Sequence, residues 1–126
     1  MNEGDVILAP IPQADGVVKN RPALFLREMP PFGDILVCGI STQIHQAVPD
    51  FDEVITSADD DFSPSGLAAD SVFRLGFLGV LPRTRIAGSI GRKAPKRHAR
   101  LLMKLSDHLT KNVEPAPNES METDSK

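Results

Sequence analysis

The first third of the chain alternates short apolar runs with turn residues, a pattern typical of strands. Residues 4–9, GDVILA, form a first apolar run with β-branched side chains, and two prolines lie close behind it. Those prolines and the turn dipeptide Asp15-Gly16 predict that residues 10–20 form a loop. A second strand is expected over residues 22–29, because a proline without an N–H is tolerated where a strand begins.

The next apolar run, DILVCGIST at residues 34–42, predicts a third strand whose continuous apolar middle is covered on both faces. The sequence PPFG between the second and third strands predicts a turn, so these two strands form a hairpin. Residues 51–55 alternate weakly between apolar and polar side chains and could form a fourth strand. The acidic, serine-rich segment at residues 56–66 is typical of an exposed loop.

Two further apolar runs, at residues 70–81 and 85–91, predict the remaining strands. Gly76 and Gly79 lie within the first of these runs, where glycines mark a bulge or a sharp bend. We therefore expect five or six strands in a mainly β fold, either a small curved antiparallel sheet or an SH3-like open barrel.

The periodicity changes in the last third of the chain, where APKRHARLLMKLSDHL predicts a C-terminal helix at residues 94–109. Pro95 suits the first helical turn. Apolar residues are almost absent after the helix, so residues 112–126 are expected to be a disordered acidic tail and residues 1–111 a single domain. Four leucines share one face of the helix, and its basic residues lie largely elsewhere. They are Leu101, Leu102, Leu105 and Leu109.

The composition mainly excludes some kinds of site. With 126 residues, 40% of them apolar and 25% charged, the chain fits one domain. It has no leader-like start and no apolar run long enough to span a membrane, so a cytoplasmic location is expected. No glycine-rich phosphate loop, dinucleotide-binding motif or GxSxG elbow is present, which argues against a nucleotide-dependent enzyme.

The cysteine and histidine residues predict neither a disulfide nor a metal site. The single cysteine, Cys38, lies in an apolar run and is expected to be buried and inert. The three histidines are far apart, and no zinc-binding spacing exists, so neither a metal nor another cofactor is expected. His98 is expected to be a partly exposed helix residue without a catalytic role.

Charge is unevenly distributed along the chain. Residues 1–70 carry a balance of −9, residues 71–111 a balance of +9 and residues 112–126 a balance of −3, for a net charge of −3. A basic surface of this kind would suit an anionic partner. The alternative is that the acidic and basic halves neutralise each other within the fold.

Polar residues at strand ends are the main candidates for a functional site. Arg21 lies just before the predicted second strand, and Ser41 and Thr42 end the third. If these strands pair as a hairpin, their far ends meet and bring the three side chains together. A guanidinium offers a planar fork of donors that matches phosphate oxygens, and hydroxyl groups add directed hydrogen bonds. The residues therefore suggest a phosphate site, although strand-end serines and threonines commonly do no more than cap turns.

Five segments together resemble the MazF/PemK toxins of bacterial toxin–antitoxin systems. They are GDVILAPIP, NRPALFL, LVCGISTQ, SGLAADSVFRLGFL and RHARLLMKLSDHL, in the family's order and with compatible spacing. The resemblance spans about residues 4–110 and implies a CcdB-like fold, a small barrel-like antiparallel sheet with a terminal helix, and a homodimer. It also implies a growth-inhibiting, metal-independent and sequence-specific endoribonuclease that cleaves single-stranded RNA, chiefly mRNA, and is inhibited by a cognate antitoxin.

The resemblance also assigns roles to individual residues. Arg21, in NRP, matches the family's catalytic arginine, and Ser41, with Thr42 beside it, falls where the family usually has a catalytic threonine. Asp70, followed by Ser71, corresponds to a DS or DQ pair that lies near the site in some members. In the implied reaction the 2′-hydroxyl of RNA attacks the scissile phosphate while Arg21 stabilises the developing charge.

A wider set of residues is expected to bind RNA. The basic segment at residues 74–104 would line the RNA path, whereas a solvated helix start is the structural alternative for residues 92–100. The six phenylalanines are expected mainly in the core, so bases would be read by hydrogen bonds and shape. The individual candidates are Lys19, Asn20, Gln43, Arg83 and Arg85, with Arg92 and Lys93 beside them.

Two segments differ from the family pattern. The first loop, PQADGVVKN, is shorter than in several members, and GFLGVL replaces a stretch that is polar in several relatives. Two alternatives therefore stay open, a binding protein that poisons gyrase as CcdB does and a family member without catalytic activity.

Overall fold

A computed structural model of the protein describes residues 1–12, 15–92 and 94–114. Within these residues one antiparallel sheet contains six strands: β1 (Val6–Pro12), β2 (Val18–Met29), β3 (Asp34–Ser41), β4 (Glu53–Ile55), β5 (Ser71–Leu81) and β6 (Gly88–Gly91). The order across the sheet is β4-β5-β3-β2-β1-β6. A short helix α1 (Phe62–Ser65) precedes β5, and helix α2 (Pro95–Thr110) follows β6. The predicted mainly β fold with a terminal helix is confirmed.

The first two strands are longer than the sequence predicts, so the loop predicted between them is largely wrong. Pro10 and Pro12 lie within β1 and pair with Asn20 and Val18 of β2. Among the described residues, β6 pairs with β1 only as far as Leu8. Beyond that residue β1 is an edge strand, where a proline removes no hydrogen bond on the open side.

The β2–β3 hairpin through PPFG is confirmed. Its register pairs Ala23 with Gly39 at the end far from the turn. Pro22 lies inside β2 rather than at its start, so the predicted first residue of this strand was wrong. Arg21, before that proline, is nevertheless in the extended conformation that the proline predicts.

The segments after β3 differ from prediction in two places. The sequence predicts an exposed loop at residues 56–66, but this segment contains α1, which ends at Gly66 with a left-handed φ of 74°. The strand predicted at residues 85–91 is shorter, because Arg83–Arg85 forms a 3-10 turn before β6. The weak alternation at residues 51–55 does correspond to a strand, β4, and β5 does contain a bulge.

Two hydrophobic clusters lie on opposite faces of the sheet. One lies beneath α2 and includes Leu26 and Leu101. The other includes Phe25 and Val37 and is partly covered by Ile86, from the connection between β5 and β6. Side chains alternate between the two faces along each strand, so neighbouring residues of β2 and β3 contribute to different clusters.

Helix α2 buries one side as predicted, with two corrections. Leu101 and Leu105 are buried, but Leu109 is 65% exposed, because the cluster beneath α2 does not reach the last helical turn. His98, predicted to be partly exposed, is buried, and its Nε2 lies 2.7 Å from the carbonyl oxygen of Leu26. It lies one turn before Leu101, so it shares the buried face of the helix.

Part of the predicted tail can be described. Residues 112–114 lie in neither a helix nor a strand, whereas residues 115–126 lie outside the described residues, as does Lys93. Within the described ranges, no helix is long and apolar enough to cross a membrane. In the same part of the chain, no group of three or more histidine, cysteine, aspartate or glutamate side chains is arranged to hold a metal ion.

Candidate functional site

A cleft of about 540 Å³ opens on the face of the sheet that carries the second hydrophobic cluster, which includes Phe25 and Val37. The ends of β1, β2 and β3 form one side of it, and the first half of β5 with the segment before it forms the other. Apolar residues such as Ile11 and Phe77 form part of its wall. The polar residues that line it are Arg21, Ser41, Thr42, Gln43, Ser71 and Arg74.

Strand geometry explains why Arg21 and Ser41 share this cleft. Ala23 pairs with Gly39, and the same register continued by two residues places Arg21 opposite Ser41. Side chains at every second position of a strand lie on the same face of the sheet. Ser41 lies four residues after Val37 in β3, so its side chain and that of Arg21, opposite it, lie on the same face as Val37. Ile86 covers the far part of this face, and the cleft is the part left open.

The hydroxyl group of Ser41 combines a local contact with capacity for another. Ser41 Oγ accepts a hydrogen bond of 3.0 Å from the backbone N–H of Gln43, which is the turn-capping contact expected of a strand-end serine. That contact uses an oxygen lone pair and leaves the hydroxyl hydrogen available to donate. Turn capping and anion binding are therefore compatible at this residue, with Thr42 exposed beside it.

Arg74, the first residue of the basic segment expected to line the RNA path, lies in the cleft, although it was not among the individual candidates. It pairs with Gly39 of β3, and its guanidinium makes no hydrogen bond or ion pair with any residue that the structure describes. Together with Arg21 it brings two permanent positive charges to a cleft whose described lining includes no carboxylate. The arrangement suits an anion. The available signal was a single arginine within the otherwise apolar run SVFRLGFL.

Three predicted residues lie beside the cleft rather than in its lining. Lys19 lies two residues before Arg21 and shares its face of β2, whereas Asn20 points to the opposite face. Asp70 is exposed, and its Oδ1 accepts a hydrogen bond of 3.0 Å from the backbone N–H of Ser57. This contact ties the loop around Ser57 to the segment where β5 begins.

Arg83 and Arg85 are not brought to the cleft within this chain. They lie in the turn after β5, near the other end of β3, about 20 Å from Ser41 along that strand. Arg83 Nη2 lies 3.5 Å from Glu28 Oε2, and the guanidinium carbon lies 5.5 Å from the centroid of the Phe25 ring. These contacts hold the turn against the β2–β3 hairpin.

Three basic residues of α2 belong to a structural ion-pair cluster, whereas Lys96 at the helix start is exposed. Arg97 is buried, with Nη1 3.0 Å from Glu53 Oε1 and Nε 2.6 Å from Asp61 Oδ2. Arg100 and Lys104 also contact Glu53, at 3.0 and 3.2 Å. In this part of the molecule the acidic and basic halves of the sequence neutralise each other, which was one of the two interpretations of the charge pattern.

The environment shifts the pKa of groups in the ion-pair cluster and in the core. Burial by itself raises the pKa of the Glu53 carboxyl, but hydrogen bonds from Arg100 and Lys104 outweigh it and hold that pKa below its ordinary value. A hydrogen bond from Arg97 lowers the pKa of the Asp61 carboxyl. Cys38 is buried, as predicted, and burial raises the pKa of its thiol to about 12, which disfavours the reactive thiolate.

Comparison with known proteins identifies the fold. The Mycobacterium tuberculosis toxin MazF-mt6 matches with a TM-score of 0.61 at 20% sequence identity, over 83% of this chain and 95% of that chain. No protein-family model matches the chain, and no curated protein is significantly similar to it in sequence. The curved, unclosed six-stranded sheet with its C-terminal helix is therefore a MazF-like fold.

Proposed function

We propose that the protein is a toxin of the MazF/PemK family, a metal-independent endoribonuclease that cleaves single-stranded RNA in the cleft. The observation that carries the proposal is that Arg21, Ser41 and Thr42 line one cleft, within a MazF-like fold. The cleft volume falls within the range of about 300 to 1,000 Å³ that is usual for ligand sites. The short sequence segments and the backbone geometry support the same family by separate routes.

RNA supplies its own nucleophile in this reaction. The 2′-hydroxyl gives up its proton to water as its oxygen forms a bond to phosphorus, the bond from phosphorus to the 5′-oxygen breaks, and that oxygen takes up a proton from water. The products carry a 2′,3′-cyclic phosphate and a 5′-hydroxyl. The protein then has two tasks, to align the reacting atoms and to stabilise the negative charge that builds up on the phosphate oxygens.

The lining residues match these tasks. Arg21 and Arg74 would stabilise the charge on the phosphate oxygens, and the hydroxyl groups of Ser41 and Thr42 would donate to a non-bridging oxygen. Arginine barely deprotonates in proteins, so Arg21 would act as a charge and a hydrogen-bond donor rather than as a proton donor. Asp70 would act indirectly, by positioning the start of β5 through its contact with Ser57.

The proposal includes protein partners. We place the toxin in a homodimer that a cognate antitoxin inhibits, and in the cytoplasm, where its mRNA substrate is found. Exposed apolar side chains support a protein contact, since Leu78 and Val80 on β5 are 39% and 53% exposed.

Direct cleavage tests the proposal. The purified protein is incubated with a mixed-sequence RNA in EDTA, the cuts are mapped by primer extension, and the product ends are analysed. We expect cuts at a short recurring sequence, with 2′,3′-cyclic phosphate and 5′-hydroxyl ends. If the folded protein cuts no RNA, the endoribonuclease is ruled out, and a gyrase inhibition assay then separates a gyrase poison from an inactive family member.

A matched pair of arginine variants tests the site. Arg21→Ala should lower the cleavage rate by about 100-fold or more, because loss of one well-placed donor commonly costs that much. Arg27→Ala is the control, since Arg27 lies in the same strand, is mostly exposed and pairs with Glu3 at the surface. Thermal unfolding of both variants checks that each one is folded. Full activity of Arg21→Ala would remove this cleft from the mechanism.

A further inference from the structure

We propose that Phe77 forms a nucleobase-binding subsite, on which one base of single-stranded RNA stacks while the adjoining phosphate lies on the cleft arginines. This proposal rests on the proposed function and deepens it. Phe77 lines the same cleft as Arg21 and Arg74 and is 40% exposed. Phosphate contacts and a stacking surface are the two components by which proteins hold single-stranded nucleic acid.

Phe77 differs from the other phenylalanines in its surroundings. Phe25 and Phe73 are almost fully buried in the two clusters, and Phe51 and Phe62 pack against the cluster beneath α2. Phe32, in the PPFG turn, is 86% exposed but lies at the opposite end of the β2–β3 hairpin from the cleft. The expectation that the six phenylalanines lie mainly in the core is therefore confirmed for four of them and wrong for Phe32 and Phe77. Of these two, Phe77 lies in the cleft, which leaves its ring partly uncovered.

A bulge in β5 gives Phe77 its place in the cleft. The pairing of β5 with β3 skips residues 75–77, the last of which is Phe77. Leu75 keeps its side chain in the cluster beneath α2, and its backbone N–H donates a 3.0 Å hydrogen bond to Asp52 Oδ1. Asp52 directly precedes β4, so its carboxylate gives Leu75 an acceptor on the side of β5 where the pairing with β4 has ended at Phe73. Bulges beside functional sites commonly redirect a side chain in this way.

The glycine opposite the bulge supports the ring. A Cβ atom built at Gly39 would lie 3.4 and 3.5 Å from Cγ and Cδ2 of Phe77, so the ring packs directly against the β3 backbone. The backbone holds one side of the ring, and the cleft leaves the rest open to a ligand. Gly76, just before the ring, has open space around the position of its missing Cβ.

The geometry favours a single strand over a duplex. A base can stack on Phe77 only when it is free of its neighbours, and every base offers a flat face to such a ring. The platform would therefore tolerate any base, and discrimination would come from nearby hydrogen-bonding groups such as the side chain of Gln43.

Fluorescence provides a direct test, because the chain has neither tryptophan nor tyrosine. Phe77→Trp introduces a single fluorophore at the proposed subsite, and Phe32→Trp introduces one far from it. The probe is a mixed-sequence 2′-O-methyl RNA, which lacks the attacking hydroxyl and cannot be cut by this route. We expect it to quench Phe77→Trp and not Phe32→Trp, and we expect an abasic strand of the same length to quench neither.

Affinity measurements complete the test. Phe77→Leu keeps an apolar side chain but loses the ring, so its Kd for the same probe should rise about tenfold or more. The matched control Phe32→Leu should bind as tightly as the wild type. Thermal unfolding of each variant confirms that it is folded. If Phe77→Leu does not fold, the quenching of Phe77→Trp alone decides whether the base subsite exists.

The outcomes separate the two proposals. If the wild type binds and cleaves RNA but Phe77→Leu binds equally well and Phe77→Trp is not quenched, the base subsite is wrong and the endoribonuclease stands. The same conclusion follows if Phe77→Leu changes only the association of the protein with itself. If the wild type neither binds nor cleaves RNA, both proposals are wrong.

Discussion

Arg21 shows how much a single residue's position depends on its strand. A proline follows it and keeps it extended, and the hairpin register carries it to the side of Ser41. Both facts depend on local sequence, since a short turn joins the two strands. Arg74 reaches the same cleft by a longer route, through the pairing of β5 with β3.

The charge of Arg74 should be measurable in RNA binding. Arg74→Gln keeps most of the side-chain length but removes the charge, so binding should weaken for all single-stranded sequences alike. The slope of log Kd against log salt concentration should fall by about 0.7, the value for one phosphate contact on a single strand. The measurement is a titration of labelled RNA at several salt concentrations.

Arg27→Gln is the control for this variant, because Arg27 is exposed and lies outside the cleft lining. Its salt dependence should match that of the wild type. An unchanged slope in Arg74→Gln would mean that this arginine does not contact the RNA backbone.

At the scale of elements, α1 and β6 cross with their backbones in contact. A Cβ at Gly91 would collide with the carbonyl oxygen of Ser65, and a Cβ at Gly66 would collide with that of Ile90. The backbone N–H of Arg92 donates a 2.8 Å hydrogen bond to the carbonyl oxygen of Pro64 at the same crossing. Both glycines are therefore required by close approach.

Two alanine substitutions in β6 test this crossing. Gly91→Ala should lower the free energy of unfolding by about 3 kcal/mol, because rigid backbone on both sides must move to admit the methyl group. Gly88→Ala, in the same strand but with open space around its Cβ position, should change it by less than about 0.5 kcal/mol. Urea denaturation measures both, and equal effects would show that the crossing is not tight.

At the scale of the whole molecule, the ion-pair cluster joins segments that are distant in sequence. Glu53 and Asp61 come from the acidic half of the chain and Arg97 from the basic half. The cluster attaches α2 to the edge of the sheet at β4. Much of the charge segregation in this sequence is thus used inside the fold, and the basic residues of the cleft are a separate set.

The cluster predicts a loss of stability in acid. The carboxyl groups of Glu53 and Asp61 have pKa values below their ordinary values of 4.5 and 3.8. A carboxyl with a lowered folded-state pKa contributes stability that is complete above its unfolded-state pKa and is lost as the pH falls through the folded-state pKa. The free energy of unfolding should therefore decrease below about pH 4.5.

Urea denaturation between about pH 7 and pH 3 measures this dependence. Glu53→Gln should be less stable than the wild type at neutral pH and should lose less stability in acid, because one of the two titrating groups is gone. A parallel pH dependence for the variant and the wild type would show that Glu53 does not contribute to the acid sensitivity.

The sequence predicted those features that depend on neighbours along the chain. The β2–β3 hairpin, the C-terminal helix and the burial of Cys38 all follow from apolar periodicity and turn residues. The strand ends around the first loop were predicted less well. Strand propensity predicts that Pro10 and Pro12 end the first strand, whereas the open edge of β1 tolerates both prolines.

By itself, then, the sequence determined the strand and helix pattern, the hairpin that joins Arg21 to Ser41, and a resemblance to one toxin family. Only the tertiary structure decided that Arg74 and Phe77 share the cleft and that Arg97 is buried in an ion-pair cluster. The physical reason is the range of the interactions. Periodicity and turns act between residues a few positions apart, whereas a cleft or a buried ion pair forms between segments that meet only when the sheet is assembled.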